Sequence, residues 1–122
     1  MRAKFILEGW WGKGILDGDT PSDIKDILLQ EFEEESPDFI SALSVEQFML
    51  GTLENWSGWW QRDDGISIGY QVLGVFLMDL NIKMGDGLKI RIIEEAEKDI
   101  WASRNLERKK VVKEFIYKIK KY

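Results

Sequence analysis

Histidine and cysteine are both absent from the 122 residues, and only two prolines occur. Without cysteine there is no disulfide framework, thiolate nucleophile, iron–sulfur cluster or cysteine zinc site. Without histidine the Ser-His-Asp and Cys-His mechanisms, most transition-metal sites and the commonest neutral-pH general base are excluded as well. Carboxylate chemistry, hard-cation binding through oxygen, or no catalysis at all remain. Long apolar runs are also missing. Phe5-Ile6-Leu7 is too short for a signal-peptide core, and the longest run, Val72 to Met78, contains Gly74 and stops at Asp79. The expectation is a cytoplasmic protein with no membrane partner.

What is present describes a globular domain. The length suits one domain, 1–122, since domains run roughly 100–150 residues, and 44% hydrophobic content is enough for a core. Six Trp residues lean towards binding, because Trp is enriched at interaction surfaces.

The formal charge of −5 is unevenly placed. Residues 1–82 carry 15 carboxylates and 5 cations, a net of −10, whereas residues 83–122 carry 12 cations and 7 carboxylates, a net of +5. From Asp17 to Asp38 nine carboxylates face Lys25 alone. Such a field steers a basic partner, or else closes against the basic C-terminal helix of the same molecule.

Helical signals dominate the chain. Thr20-Pro21 reads as an N-cap and first helical position for a helix over about 21–35, with Ile24, Ile27, Leu28 and Phe32 on one face. Ser36-Pro37 repeats the device for a second helix carrying Phe39, Ile40, Leu43, Gln47, Leu50 and Leu53. Ser44 with Gln47 offers a later start as a capping box. Asn55 is a plausible stop, followed by a Gly- and Asp-framed loop from Ser57 to Gly65. Segment 66–84 is ambiguous. Its even positions are apolar except Gly74, a strand pattern, yet Val72, Leu73, Phe76, Leu77 and Leu80 form a helical stripe closed by Gly85. Helix is preferred there, with a β-hairpin or strand pair as the alternative. Further helices are expected over about 88–102 and from an Asn105 cap, the last bearing Leu106, Val112, Phe115, Ile116 and Ile119 inward and Arg108 among its basic surface. The sum is a mainly α fold, a compact bundle of four or five helices.

Chemical motifs are weak. Trp11-Gly12-Lys13-Gly14 lacks the spacing of a phosphate loop and reads as a turn. Asp17, Asp19 and Asp23 begin like a calcium loop, but Pro21, Ser22 and Leu28 occupy its fifth, sixth and twelfth positions, so no metal or other cofactor is expected. The C-terminal lysines read as a solvated face, and no nucleic-acid partner is expected. Glu31, Glu33, Glu34 and Glu35 are too exposed for tuned acid–base work, so no enzyme is expected. The best binding candidate is Trp59-Trp60 beside Asp63 and Asp64, since Trp supplies rigid contact area and carboxylates pair with basic partners.

Three stretches resemble a family of small bacterial proteins of unknown function that open with W-G-x-G. WGKGILDGDTPSDIKDILLQEF is similar to their start. Ala42, Leu43, Gln47, Phe48, Gly51 and Leu53 follow their A-L-x-x-x-Q-W-x-x-G-x-L pattern, with Phe48 in place of Trp. IIEEAEKDIWASRNLERKKVVKEFIYKIK looks like their closing stretch. Segment 54–86 is unmatched. Some members of that family look like immunity proteins against polymorphic or contact-dependent toxins. The resemblance thus implies a cognate toxin domain as partner, and a basic nuclease suits an acidic inhibitor. The expected binding surface joins Glu33, Glu34, Glu35 and Asp38 with Trp59, Trp60, Asp63 and Asp64. The alternative is a structural or regulatory module that self-associates through 66–84, including as a homodimer.

Overall fold

The computed structural model of the chain describes residues 19–55, 63–99 and 101–122. Five α-helices make up the described part: α1 (Asp19–Phe32), α2 (Ala42–Asn55), α3 (Asp63–Asp79), α4 (Asp86–Glu97) and α5 (Leu106–Lys121). Short 3-10 turns at Pro37–Phe39 and Trp101–Ser103 lie between α1 and α2 and between α4 and α5. No strand occurs among the described residues, and the expected compact helical bundle is what forms.

Helix α3 is its axis. Every residue from Ser67 to Leu77 is buried, with α1, α2 and α4 packed around it. A helix apolar on all sides is a buried one. The strand-like alternation arises because Ser67, Gly69 and Gln71 occupy odd positions. These are not a solvent face: Ser67 and Gln71 are fully buried, and a Cβ on Gly69 would lie 3.1 Å from Leu53. The segment therefore spends its apolar side chains on the core and presents no broad face for self-association.

Gly85 does not end this helix, as the sequence pattern suggested; Asn81 does. Asn81 takes φ 57°, its N–H donates to the Met78 carbonyl at 3.1 Å, and the Ile82 N–H reaches back to the Leu77 carbonyl at 2.8 Å. This is a Schellman closure with Asn in the left-handed position that Gly more often fills. Gly85 instead precedes α4 as its N-cap.

Other boundaries move as well. Helix α1 begins at Asp19, so Thr20 is not its cap, and Pro21 sits in the first turn where no intrahelical N–H bond is lost. Ser36-Pro37 starts only a 3-10 turn. The cap of α2 is Ser41, whose hydroxyl accepts the Ser44 N–H at 3.1 Å, while the Ser44 hydroxyl donates back to the Ser41 carbonyl at 2.8 Å. The buried stripe of α2 is Val45, Met49 and Leu53, rotated away from the expected one, which leaves Leu43 outside. Helix α3 takes in Asp63, Asp64 and Gly65 rather than leaving them in a loop, and α4 stops at Glu97 rather than near 102.

Asn105 caps α5 as expected, its side chain accepting the Arg108 N–H at 3.0 Å. Val112, Phe115 and Ile119 face inward, but Leu106 is exposed and Arg108 is buried, a reversal of their expected roles. Helix α5 packs on α4 and the Trp101–Ser103 turn, and it touches α3 at Gly74. A Cβ on Gly74 would lie 2.6 Å from Phe115 Cζ, so only glycine admits the ring there.

Candidate functional site

The chain between α1 and α2 folds into a short, firmly tied corner. The α1 end is closed by Glu33 N–H to the Leu29 carbonyl (2.8 Å) and Glu35 N–H to the Phe32 carbonyl (3.1 Å). The 3-10 turn follows, with Phe39 N–H on the Ser36 carbonyl at 2.9 Å and Ile40 N–H on the Pro37 carbonyl at 3.2 Å. Beneath it, Phe32 packs edge-on against Phe48 and Phe76, at centroid distances of 5.7 and 5.9 Å. Ile40 turns into the core while its neighbour Phe39 turns out and is 85% exposed. Leu43, in the first turn of α2, is 61% exposed.

This corner is acidic. Glu31, Glu34, Glu35 and Asp38 are exposed and Glu33 is half-buried, with no cation between residues 26 and 61. Four of the expected partner-binding residues, Glu33, Glu34, Glu35 and Asp38, thus fall on one corner. Trp59 and Trp60 lie outside the described residues. Asp63 and Asp64 open α3, but their side chains lie outside the described part. Trp11 to Asp17, the glycine-flanked motif and the start of the calcium-like pattern, lie outside it too. Phe39 is the addition that the helix assignment missed, because it was counted as part of an inward face; its position directly after Ser-Pro-Asp was the available signal. Large exposed aromatics on rigid turns are favourable anchors, since little side-chain entropy is lost on binding.

Two polar clusters, each built on a buried carboxylate, tie the helices together. In one, the Glu46 carboxylate on α2 accepts from Tyr70 on α3 (2.7 Å) and from Arg91 on α4 (2.9 Å). Burial and the Glu46 acceptor together push the Tyr70 hydroxyl up to about 12. In the other, Asp99 Oδ2 receives Arg108 Nη2 at 2.8 Å, Arg108 Nε at 3.1 Å and Gln71 Nε2 at 2.8 Å, while Oδ1 caps the Ala102 N–H at 2.8 Å. Arg108 Nη2 also donates to Gln71 Oε1 at 2.8 Å, and the Ser67 hydroxyl bonds the Glu95 carbonyl. Burial alone would raise the Asp99 carboxyl, but the Arg108 and Gln71 hydrogen bonds and the Arg108 charge hold it below the usual carboxylate range. Both carboxylates are engaged by arginine, and each cluster ties together segments far apart in sequence.

Between α1 and α2, Ile24, Ile27, Leu28, Met49, Thr52 and Leu53 line a shallow apolar crevice with room for about one water molecule. Among the described residues no group of three or more carboxylates is placed to hold a metal ion, and no helix is long and apolar enough to cross a membrane. What the corner offers is contact area and negative charge.

No protein family matches the chain, and no curated protein or solved structure matches it either.

Proposed function

We propose that this protein is a non-catalytic inhibitor, an immunity protein that binds the basic surface of a cognate bacterial toxin domain through the α1–α2 corner. The observation that carries the reading is Phe39, held 85% exposed on a tied turn among Glu34, Glu35 and Asp38. A nuclease groove must attract polyphosphate, so it is positively charged, and an acidic surface with an aromatic anchor competes for it. The carboxylates steer the encounter, and Phe39 supplies the desolvated contact that slows dissociation. The reading also assigns Trp59, Trp60, Asp63 and Asp64 to contacts with the same partner.

Co-expression with the toxin domain encoded beside its gene tests the idea. Growth is expected to recover with the wild-type chain, and Phe39→Ala is expected to weaken binding by about thirtyfold, the loss typical of an anchor residue. Glu35→Lys with Asp38→Lys is expected to slow association at low salt and flatten its salt dependence. Unrelieved toxicity, or affinity unchanged in both variants, overturns the assignment.

A further inference from the structure

Four of the exposed large hydrophobic residues form two pairs on faces of opposite charge, with Ile90 on α4 and Tyr122 exposed apart from them. One is the acidic corner, with Phe39 and Leu43. The other is the outward side of α5. There Leu106 is 70% exposed and Tyr117 56% exposed, with Lys110 and Lys113 between them at helical spacing, on the side turned away from Val112, Phe115 and Ile119. Lys121 Nζ lies over the Tyr117 ring, 4.7 Å from its centroid, which makes this face a cationic, aromatic platform. Neither face covers the other within one chain, since both remain exposed.

We infer that these two faces are the halves of one head-to-tail contact between copies of this chain, the acidic corner of one copy seated on the α5 platform of the next. Phe39 and Leu43 pack on Leu106 and Tyr117, and Glu35 and Asp38 meet Lys110 and Lys113. Each apolar pair is ringed by a complementary charge, the arrangement that gives register as well as attraction. Because the two halves differ, every added copy leaves one of each free, and the assembly grows as an open chain unless its rotation closes a ring. With two exposed large hydrophobic side chains on each half, the association belongs to the weak, transient class. Its effect on the corner is regulatory: copies at high concentration cover the surface that a basic partner needs. The inference stands on the corner's geometry and does not require the partner to be a toxin.

Two variants of the full chain separate the halves without touching the core. Phe39→Ser with Asp38→Asn disables the corner, and Lys110→Gln, Lys113→Gln and Tyr117→Ser together disable the platform. Sedimentation velocity is run on each, at about 20 mM and about 500 mM salt, ionic strengths that lengthen and collapse the screening distance. The wild-type mass is expected to rise above 14.3 kDa with concentration at low salt and to return to it at high salt. Each variant alone should stay at the monomer mass, and their equimolar mixture should form a dimer and stop there, because only one intact contact can be made. A wild-type chain that stays monomeric at low salt, self-association that survives in either variant, or a mixture that forms no dimer overturns the inference. A fluorescently labelled DNA duplex supplies the rival outcome: if the monomeric wild type binds it and the platform variant does not, α5 is a phosphate-binding face and the inference fails. Partner binding is measured at dilutions far below self-association, so failure of either reading leaves the other standing.

Discussion

Gly74 shows how one missing Cβ positions a whole helix. The nearest atoms to its vacant Cβ position are Phe115 Cζ, Phe115 Cε1 and Ile119 Cδ1, at 2.6, 3.0 and 3.1 Å, and both residues are fully buried with no room to retreat. Gly74→Ala is therefore expected to destabilise the protein by about 1–3 kcal/mol, the range for overpacked cores, even though alanine is the better helix former. Urea denaturation checks this, and a double-mutant cycle identifies the cause. Phe115→Leu removes the ring that collides, so the two substitutions together should cost clearly less than their separate effects added. Additive losses would place the strain elsewhere. In the sequence, Gly74 looked like an interruption of an apolar run; its partner lies 41 residues away on α5, and no local pattern could name it.

At the level of elements, the helix stops carry most of the information, and Asn81 is the clearest. Its positive φ, the two back-bonds to Met78 and Leu77, and the Tyr122 hydroxyl on the Ile82 carbonyl at 2.8 Å fix the chain reversal between α3 and α4. Asn81→Gly should be neutral or slightly stabilising in thermal denaturation, whereas Asn81→Ala should cost about 1 kcal/mol because a Cβ opposes the left-handed conformation. Equal effects of the two would remove backbone conformation as the reason. Helix existence was legible outside the ambiguous segment 66–84: the 3.6-residue spacing in α1, the Asn105 cap and the inward Val112, Phe115 and Ile119 of α5 appear as expected. Register was less so. Phe39 and Leu43 look like core residues by type, and Arg108 looks like surface, but α2 starts only after Ser41, which leaves Phe39 on the turn before it, and the helix buries its Val45, Met49 and Leu53 stripe rather than the one with Leu43. Arg108 goes inside because Asp99 and Gln71 are there to receive it, a tertiary arrangement that spacing alone does not reveal. Likewise, the acidic corner was visible as a composition, but its anchor depended on a turn that the sequence disguised as a helix start.

At the scale of the molecule, opposite charge is divided along the chain. Helix α5 carries seven cations against two carboxylates, while residues 1–82 hold a net of −10. Acidification removes the anionic side of this balance and leaves the lysines. Within that general loss, the Asp99–Arg108 pair makes a separable contribution, since it is buried and little screened by salt. The Asp99 carboxyl sits below its ordinary range in the folded protein, held there by Arg108, Gln71 and the Ala102 N–H. The group binds its proton more readily when unfolded, so its stabilisation is fully present above the unfolded value of about 4 and fades as pH falls through the lower folded value. Urea midpoints at pH 7 and at about pH 3.5 should therefore differ strongly for the wild type. Asp99→Asn should be less stable at pH 7 because Arg108 loses its counter-charge, and the gap between its two midpoints should be smaller. Arg108→Ala should be worse at pH 7, by about 3–5 kcal/mol, since it leaves a buried carboxylate without its cation; acid should then relieve part of that deficit by protonating Asp99. If Asp99→Asn instead keeps the full wild-type gap, acid sensitivity belongs to the exposed carboxylates and their collective field, and the buried pair serves only to hold α5 in place.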